Sequence, residues 1–230
     1  MACLDSGIRR LVLASNSPRR KQLLSLLGLP FVIQAAHVDE EVHDGEAPEE
    51  MVVRVARAKA MAVTGIRRDE MIIAADTTVA LDGRSLGKPV DAEDAARMLR
   101  ELRGRPHTVY TGVVLWHPQT QSMTTELGES SVWMREYSEK DLRSYVASGD
   151  PLDKAGAYAI QHPGFDPVAR VDGCWLNVMG LPLCHLGRAL TAAGVIVPAH
   201  VPGSCRAFSQ RACAVGPGIL SGSTENEAAS

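Results

Sequence analysis

Leu11-Val12-Leu13-Ala14-Ser15-Asn16-Ser17-Pro18-Arg19-Arg20 is the stretch that decides the fold. Its apolar first half reads as a buried strand, which stops at small polar residues and turns at once into a helix. Ser17 is a good N-cap and Pro18 suits the first helical position. A helix N-terminus therefore stands at a strand end, with free backbone N–H groups and the positive end of the macrodipole. The hydroxyls of Ser15 and Ser17 and the guanidiniums of Arg19 and Arg20 lie beside it. Such a corner suits a polyphosphate or another strong anion. From this segment alone, an ordinary β–turn–α corner with surface arginines is the alternative.

Outward from this corner the chain reads as mixed α/β. Strand-like runs cover 10–14, 31–35, 71–81, 108–117 and 123–134. Helix-like runs cover 18–27, 48–63, 92–103, 139–147 and 182–193. Asp91 reads as an N-cap ahead of an acidic first turn, and Ser138 with Asp141 resembles a capping box. Residues 118–122 separate two strand-like runs at ordinary hairpin length. From about residue 198 the chain becomes rich in Gly, Ser and Ala, and residues 198–230 read as a weakly ordered extension.

At 230 residues the chain is long enough to bury a full core. Its net charge of −3 gives no field that would draw in nucleic acid or a membrane surface, so an anionic ligand must be held by local positive charge. Aromatic residues make up 4%, too few for a base-stacking surface on single strands. The cysteines Cys3, Cys174, Cys184, Cys205 and Cys213 are odd in number and lack C-x-x-C spacing, which argues against a disulfide framework and a zinc site. Cys174 and Cys184 read as small buried apolar residues. With no signal-peptide pattern and no membrane-length apolar run, a soluble cytoplasmic protein is the expectation.

Several residues are candidates for chemistry. Asp76 follows the apolar start Met71-Ile72-Ile73. A carboxylate there is costly unless paired or bound to a cation, and it suits binding Mg²⁺ or accepting a proton from water. The alternative is an aspartate capping a turn. Glu40, in Val38-Asp39-Glu40-Glu41, offers a second carboxylate that could share a metal with Asp76, or lie on a solvated loop. Gly83-Arg84-Ser85-Leu86-Gly87-Lys88-Pro89 fails as a P-loop, because its glycine spacing is short by one and Pro89 stands where Ser or Thr should be. It leaves Lys88 on a Gly/Pro-fixed loop as a point charge for phosphate. Lys59 lies beside an apolar helix face, where it either snorkels or projects into a phosphate site. Gln161 carries an amide able to read the N3–H and O4 edge of uracil or thymine, or else an exposed polar group. The combined inventory matches a Mg²⁺–triphosphate site.

The order of these motifs resembles the Maf family of nucleoside triphosphate pyrophosphatases. The matching pieces are Ala14–Arg20, Val38-Asp39-Glu40, Arg57-Ala58-Lys59-Ala60, Ala75-Asp76-Thr77, Leu86-Gly87-Lys88-Pro89, His107–Val113, Asp153–Gln161 and Val178–Leu183. They span about residues 9–193, within a domain read as 9–197. The resemblance implies a single Maf-like, inosine triphosphatase-like domain. Its expected form is an elongated, mixed, mostly antiparallel sheet flanked by helices, with a central cleft, in a homodimer. It implies cleavage of a nucleoside triphosphate between the α and β phosphates with Mg²⁺ or a similar cation such as Mn²⁺. By the same resemblance Asp76 is the catalytic aspartate and Glu40 the metal-associated glutamate. Ser15, Ser17, Arg20, Lys59 and Lys88 fall on phosphate-binding positions, and Arg19, Thr77 and Gln161 on specificity positions. The Ala157–Gln161 form is similar to the branch that takes dTTP and UTP rather than 7-methyl-GTP. After Gln161 that branch typically continues into a Gly-rich turn, whereas this chain has His162-Pro163-Gly164-Phe165-Asp166-Pro167. Pro163 restricts His162 to extended geometry, so the loop beneath the base is expected to differ in shape.

Overall fold

In the computed structural model, which describes residues 8, 10–67 and 69–222, the opening corner forms as the sequence predicts. β1 (Arg10–Leu13) runs into α1 (Pro18–Ser25), with Ser17 at the N-cap and Pro18 as the first helical residue. There follow β2 (Phe31–Ile33), α2 (Pro48–Ala62), β3 (Glu70–Leu81), β4 (Arg84–Leu86), α3 (Ala92–Leu102), β5 (Pro106–His117), β6 (Ser122–Met134) and α4 (Glu139–Ala147). Two short 3₁₀ turns lead to β7 (Val168–Gly173), then α5 (Trp175–Val178), α6 (Leu183–Ala192), α7 (Val201–Ser209) and α8 (Gly216–Ser221). The predicted caps are present: Asp91 accepts from the Asp94 amide at 2.8 Å, and Ser138 with Asp141 closes a full capping box.

The strands form one mixed sheet in the order β2-β1-β3-β5-β6-β7, with β4 on β3. β1 is parallel to both β2 and β3, and the other pairs are antiparallel. This is the mixed, mostly antiparallel α/β sheet expected from the sequence.

Side chains alternate across β3, so one strand feeds two cores. Ile72 and Ala74 join Ala56 and Ala60 of α2 in a small cluster on one face. Met71, Ile73, Ala75, Val79 and Leu81 join the larger core on the other face, with leucines from α1, α3, α4 and α6. On this parity Asp76 faces α2 and Thr77 faces the opposite side. Two features of β3 then position the site. Its pairing with β1 ends at Leu13↔Ile73, and its pairing with β4 begins at Val79↔Leu86, so the edge between has no strand neighbour. Asp76 sits on that open stretch, beside the carboxyl end of β1, the part of an α/β sheet where ligands bind. The second feature is Gly112, which pairs with Asp76 from β5. A Cβ there would lie 2.7 Å from the Val52 carbonyl oxygen, so glycine lets the backbone of α2 press directly onto the sheet.

The C-terminal segment differs from expectation. Residues Val201–Ser209 form α7 and Gly216–Ser221 form α8 within the segment read as a weakly ordered extension, and Val201, Cys205 and Ile219 join the main core. Val201, Cys205 and Phe208 recur at helical spacing behind Pro202 in the first turn, a signal obscured by the small residues around it. Residues 223–230 lie outside the described residues. β4, β7 and α5 were also absent from the sequence reading, being three, six and four residues long. Runs that short leave little periodicity to detect. Among the described residues, no helix is long and apolar enough to cross a membrane.

Candidate active site

All ten residues singled out in the sequence line one cleft of about 820 Å³: Ser15, Ser17, Arg19, Arg20, Glu40, Lys59, Asp76, Thr77, Lys88 and Gln161. The cleft opens at the unpaired edge of β3, between the α1 N-terminus and the loop following β4.

Lys59 is its electrostatic centre. It does not snorkel: α2, pressed onto Gly112, directs it inward, where it is 7% exposed. Its Nζ donates to Asp76 Oδ1 at 2.7 Å and lies 2.7 Å from Glu40 Oε1. Asp76 is 6% exposed, so its carboxylate is buried against a cation, as burial of charge requires. Glu40 is more open and also faces Lys88, whose Nζ is 3.5 Å from Oε2. Burial alone would raise the Glu40 carboxyl, but the bond and charge of Lys59 and the charge of Lys88 outweigh it and hold the group below its ordinary value.

At the α1 corner the serines order the turn. Ser15 Oγ accepts from the Ser17 amide at 3.2 Å, and Ser17 Oγ accepts from the Arg20 amide at 3.4 Å. Arg20 Nε donates to the Gly180 carbonyl at 2.9 Å, and Nη2 donates to Thr77 Oγ1 at 3.0 Å. Burial lowers the Arg20 pKa while Asp76 opposes that shift, and an arginine stays charged under both influences. Two donors hold the guanidinium in place, and its remaining N–H groups are available to a ligand.

The structure gives Thr77 a definite hydrogen-bonding role. Thr111 donates its hydroxyl to the Asn177 carbonyl at 3.0 Å, so it must accept from Thr77 at 3.0 Å. Thr77 then has only acceptor capacity left, and Arg20 uses it. Thr77 therefore orients Arg20, through a chain anchored where Asn177 Nδ2 donates to the Val109 carbonyl and to Ser130 Oγ.

Arg19 lies 3.6 Å from Asp153, which also accepts from buried Lys154 at 2.6 Å. Lys154 donates to Asp150 as well, and Asp150 accepts from the Tyr145 hydroxyl at 2.7 Å. Tyr145 in turn accepts from the Ala159 amide at 2.9 Å, two residues before Gln161. The sequence reading passed over Lys154, Asp150 and Tyr145, although a lysine within the glycine-containing loop was the available signal. Gly156 closes this loop onto the sheet. Its φ is +66°, its N–H donates to the Gly87 carbonyl at 3.0 Å, and a Cβ would meet Val79 at 2.8 Å.

Gln161 is exposed and lines the same cleft. The departure that follows it is an ordered turn. His162 Nδ1 accepts from the Phe165 amide at 2.9 Å, and the His162 carbonyl accepts from the Asp166 amide at 3.0 Å. The His162 ring packs edge-on against Tyr145 with centroids 4.8 Å apart. A histidine-capped turn thus follows Gln161.

Known proteins resemble this chain over the same region. Residues 10–193 match the family model described as Maf-like protein. A protein of Pelotomaculum thermopropionicum named dTTP/UTP pyrophosphatase is 46% identical over 187 residues, covering 81% of this chain and 98% of its own. A Myxococcus xanthus protein of the same name is 48% identical, covering 82% of this chain and 94% of its own. One from Anaeromyxobacter, again of that name, is 47% identical, with coverage of 84% and 94%. Among solved structures, a HAM1 protein from Coxiella burnetii aligns at TM-score 0.41 and 17% identity, over 56% of this chain and 75% of its own. With a family model that spans most of the sequence and relatives matched almost end to end, this chain belongs to the Maf family.

Proposed function

We propose that the protein is a nucleoside triphosphate pyrophosphatase that hydrolyses dTTP and UTP at the α–β bond, releasing the monophosphate and pyrophosphate. The observation that carries this reading is Lys59, a buried cation bridging Asp76 and Glu40 within a cleft that also holds Arg20 and Lys88. Its relatives' names supply the pyrimidine substrates, and the Gln161 amide lining the cleft matches the imide edge of those bases.

Asp76 and Glu40 converge on one cationic position and present hard oxygen ligands. This donor set fits Mg²⁺ or Mn²⁺, which commonly takes one or two protein carboxylates together with substrate phosphates and water. When bound, such an ion supplies charge neutralisation on the phosphate oxygens. The protein's own groups do the rest. Arg20, Lys59 and Lys88 hold the triphosphate, and the Ser15–Ser17 turn fixes the helix end it approaches. Asp76 accepts the proton of a water attacking the α-phosphorus in line. Pyrophosphate departs with its charge held by the same cations. A homodimer in the cytoplasm belongs to this proposal as well.

The test is pyrophosphate release with Mg²⁺ from dTTP, UTP, CTP, 7-methyl-GTP, GTP and ITP, with Asp76→Asn as control. Release from dTTP and UTP, lost in the variant, is expected. Preference for 7-methyl-GTP would overturn the role given to Gln161. Nucleotide binding without release would make the protein a nucleotide-responsive regulator.

A further inference from the structure

Lys154 is a buried cation in the cleft that the proposed mechanism does not use. It is 7% exposed and lines the cleft beside Asp153. Its Nζ donates to the Asp150 carbonyl, to Asp150 Oδ1 at 2.9 Å and to Asp153 Oδ1 at 2.6 Å. An ammonium has three N–H groups. All three are committed within the loop, so none is left for a phosphate. Lys59 differs, because its Nζ meets two carboxylates and keeps one N–H for a ligand.

The loop that Lys154 holds is strained. Ala157 has φ +59°, in the left-handed region that residues with a Cβ rarely adopt, and it is buried. Such a conformation persists only where its surroundings over-determine it. Here the supports stand on both sides. Before the strained residue, Lys154 ties Asp150 to Asp153, and its carbonyl accepts from the Ala157 amide at 3.0 Å. After it, the Tyr145 hydroxyl accepts from the Ala159 amide at 2.9 Å and donates to Asp150 Oδ2 at 2.7 Å. Asp150 joins the two sides, through one oxygen to Lys154 and through the other to Tyr145. The Tyr145 ring also packs against His162, with centroids 4.8 Å apart, and stacks on Phe165 at 4.3 Å. One tyrosine therefore grips the chain on both sides of Gln161, by its hydroxyl at residue 159 and by its ring at residue 162. The same ammonium fixes Asp153, whose second oxygen lies 3.6 Å from Arg19.

We propose that Lys154 is a positioning residue for base selection, acting through Asp150 and Tyr145 on Gln161 and through Asp153 on Arg19. The proposal rests on the base-reading role given to Gln161. A lysine with no free N–H adds little to the hold on the triphosphate, which every nucleotide shares. It sets instead where the Gln161 amide stands against the base. Removing its charge therefore costs the pyrimidine nucleotides more than the others.

The test compares Lys154→Met and Tyr145→Phe with wild type in two measurements: kcat and KM for UTP and GTP, and hydrogen exchange of the Ala159 amide. Tyr145→Phe deletes one oxygen and leaves the charges paired, so it decides the question if Lys154→Met does not fold. Each variant should lower kcat/KM for UTP relative to GTP by about 5- to 10-fold, chiefly through KM. The Ala159 amide should exchange faster in both. Lys154→Met/Gln161→Ala should lose no more of the UTP preference than Gln161→Ala alone, because both changes act on one contact. Equal losses for UTP and GTP would make Lys154 a phosphate or folding group and overturn the proposal. An unchanged ratio would overturn it too, as would Ala159 exchange that Lys154→Met leaves at the wild-type rate. Release from neither nucleotide by the wild-type protein would count against the pyrophosphatase reading instead, and Ala159 exchange in Lys154→Met would then decide the positioning role by itself.

Discussion

Replacing Lys59 with methionine tests whether the centre of the cleft is an electrostatic clamp or only a packed interior. Methionine keeps the unbranched stem, so packing against α2 changes little, but the ammonium is lost. Asp76 then stays buried with an uncompensated charge, since its side chain is 8% exposed and its 2.7 Å partner is gone. Breaking a buried ion pair from one side costs about 3–5 kcal/mol. Glu40, with its side chain 41% exposed, adds little because water screens it. For a protein of this size each kcal/mol shifts Tm by about 2–4 °C, so Lys59→Met should melt about 10 °C below wild type at pH 8. The double variant Lys59→Met/Asp76→Asn should recover most of the loss, since it removes both charges and leaves a neutral pair. Millimolar Mg²⁺ should stabilise Lys59→Met more than wild type, because the two carboxylates no longer share a competing ammonium. Thermal melts of the three proteins at pH 8, with and without Mg²⁺, decide the matter. A Lys59→Met protein melting with wild type at pH 8 would refute the clamp. A deficit unrelieved in the double variant would show that the stem's packing is what matters.

Asp76→Asn should lower kcat by about 10²–10⁴-fold, the usual worth of a general base, while calorimetry shows nucleotide still bound; retained turnover would remove Asp76 from the base role. Gln161→Ala should cost about 5- to 10-fold in kcat/KM for UTP relative to GTP, one net hydrogen bond, and unchanged relative rates would count against base reading. His107 donates or accepts at the Tyr158 hydroxyl, and burial lowers its pKa to about 4. Its folded pKa lies below the unfolded value near 6.5, so this contribution is complete above pH 6.5 and is lost as the pH falls toward 4, on the order of 3 kcal/mol in all. Denaturant titrations of wild type and His107→Gln should therefore converge across that window, and parallel slopes would refute the assignment. Gly112→Ala should destabilise by about 1–3 kcal/mol, because its methyl meets the Val52 carbonyl, and it should also lower activity by shifting Lys59; a variant with wild-type melting and turnover would show that α2 yields freely there.

What was legible in the sequence follows from the range of each signal. The α1 corner, the caps at Asp91 and Ser138 and the long β5–β6 hairpin are local, and short-range chemistry specifies them. The cleft residues were also legible, because each departs from its surroundings: a carboxylate after an apolar strand start, a lysine on an apolar helix, a lysine between Gly and Pro. Their pairing was not legible. The bond from Lys59 to Asp76 depends on Gly112, from a third element, letting α2 approach the sheet, and nothing near Lys59 in sequence reports that approach. Thr77 shows the same limit. Its placement opposite Asp76 follows from strand parity, but its role as acceptor for Arg20 depends on Thr111 and Asn177, one on the next strand and one on α5. Polar groups that carry chemistry are costly to bury singly, so they are paired across elements rather than along them. A sequence read without homologues therefore reveals which residues need partners, while the sheet register and the close approach at glycines determine which partners they receive.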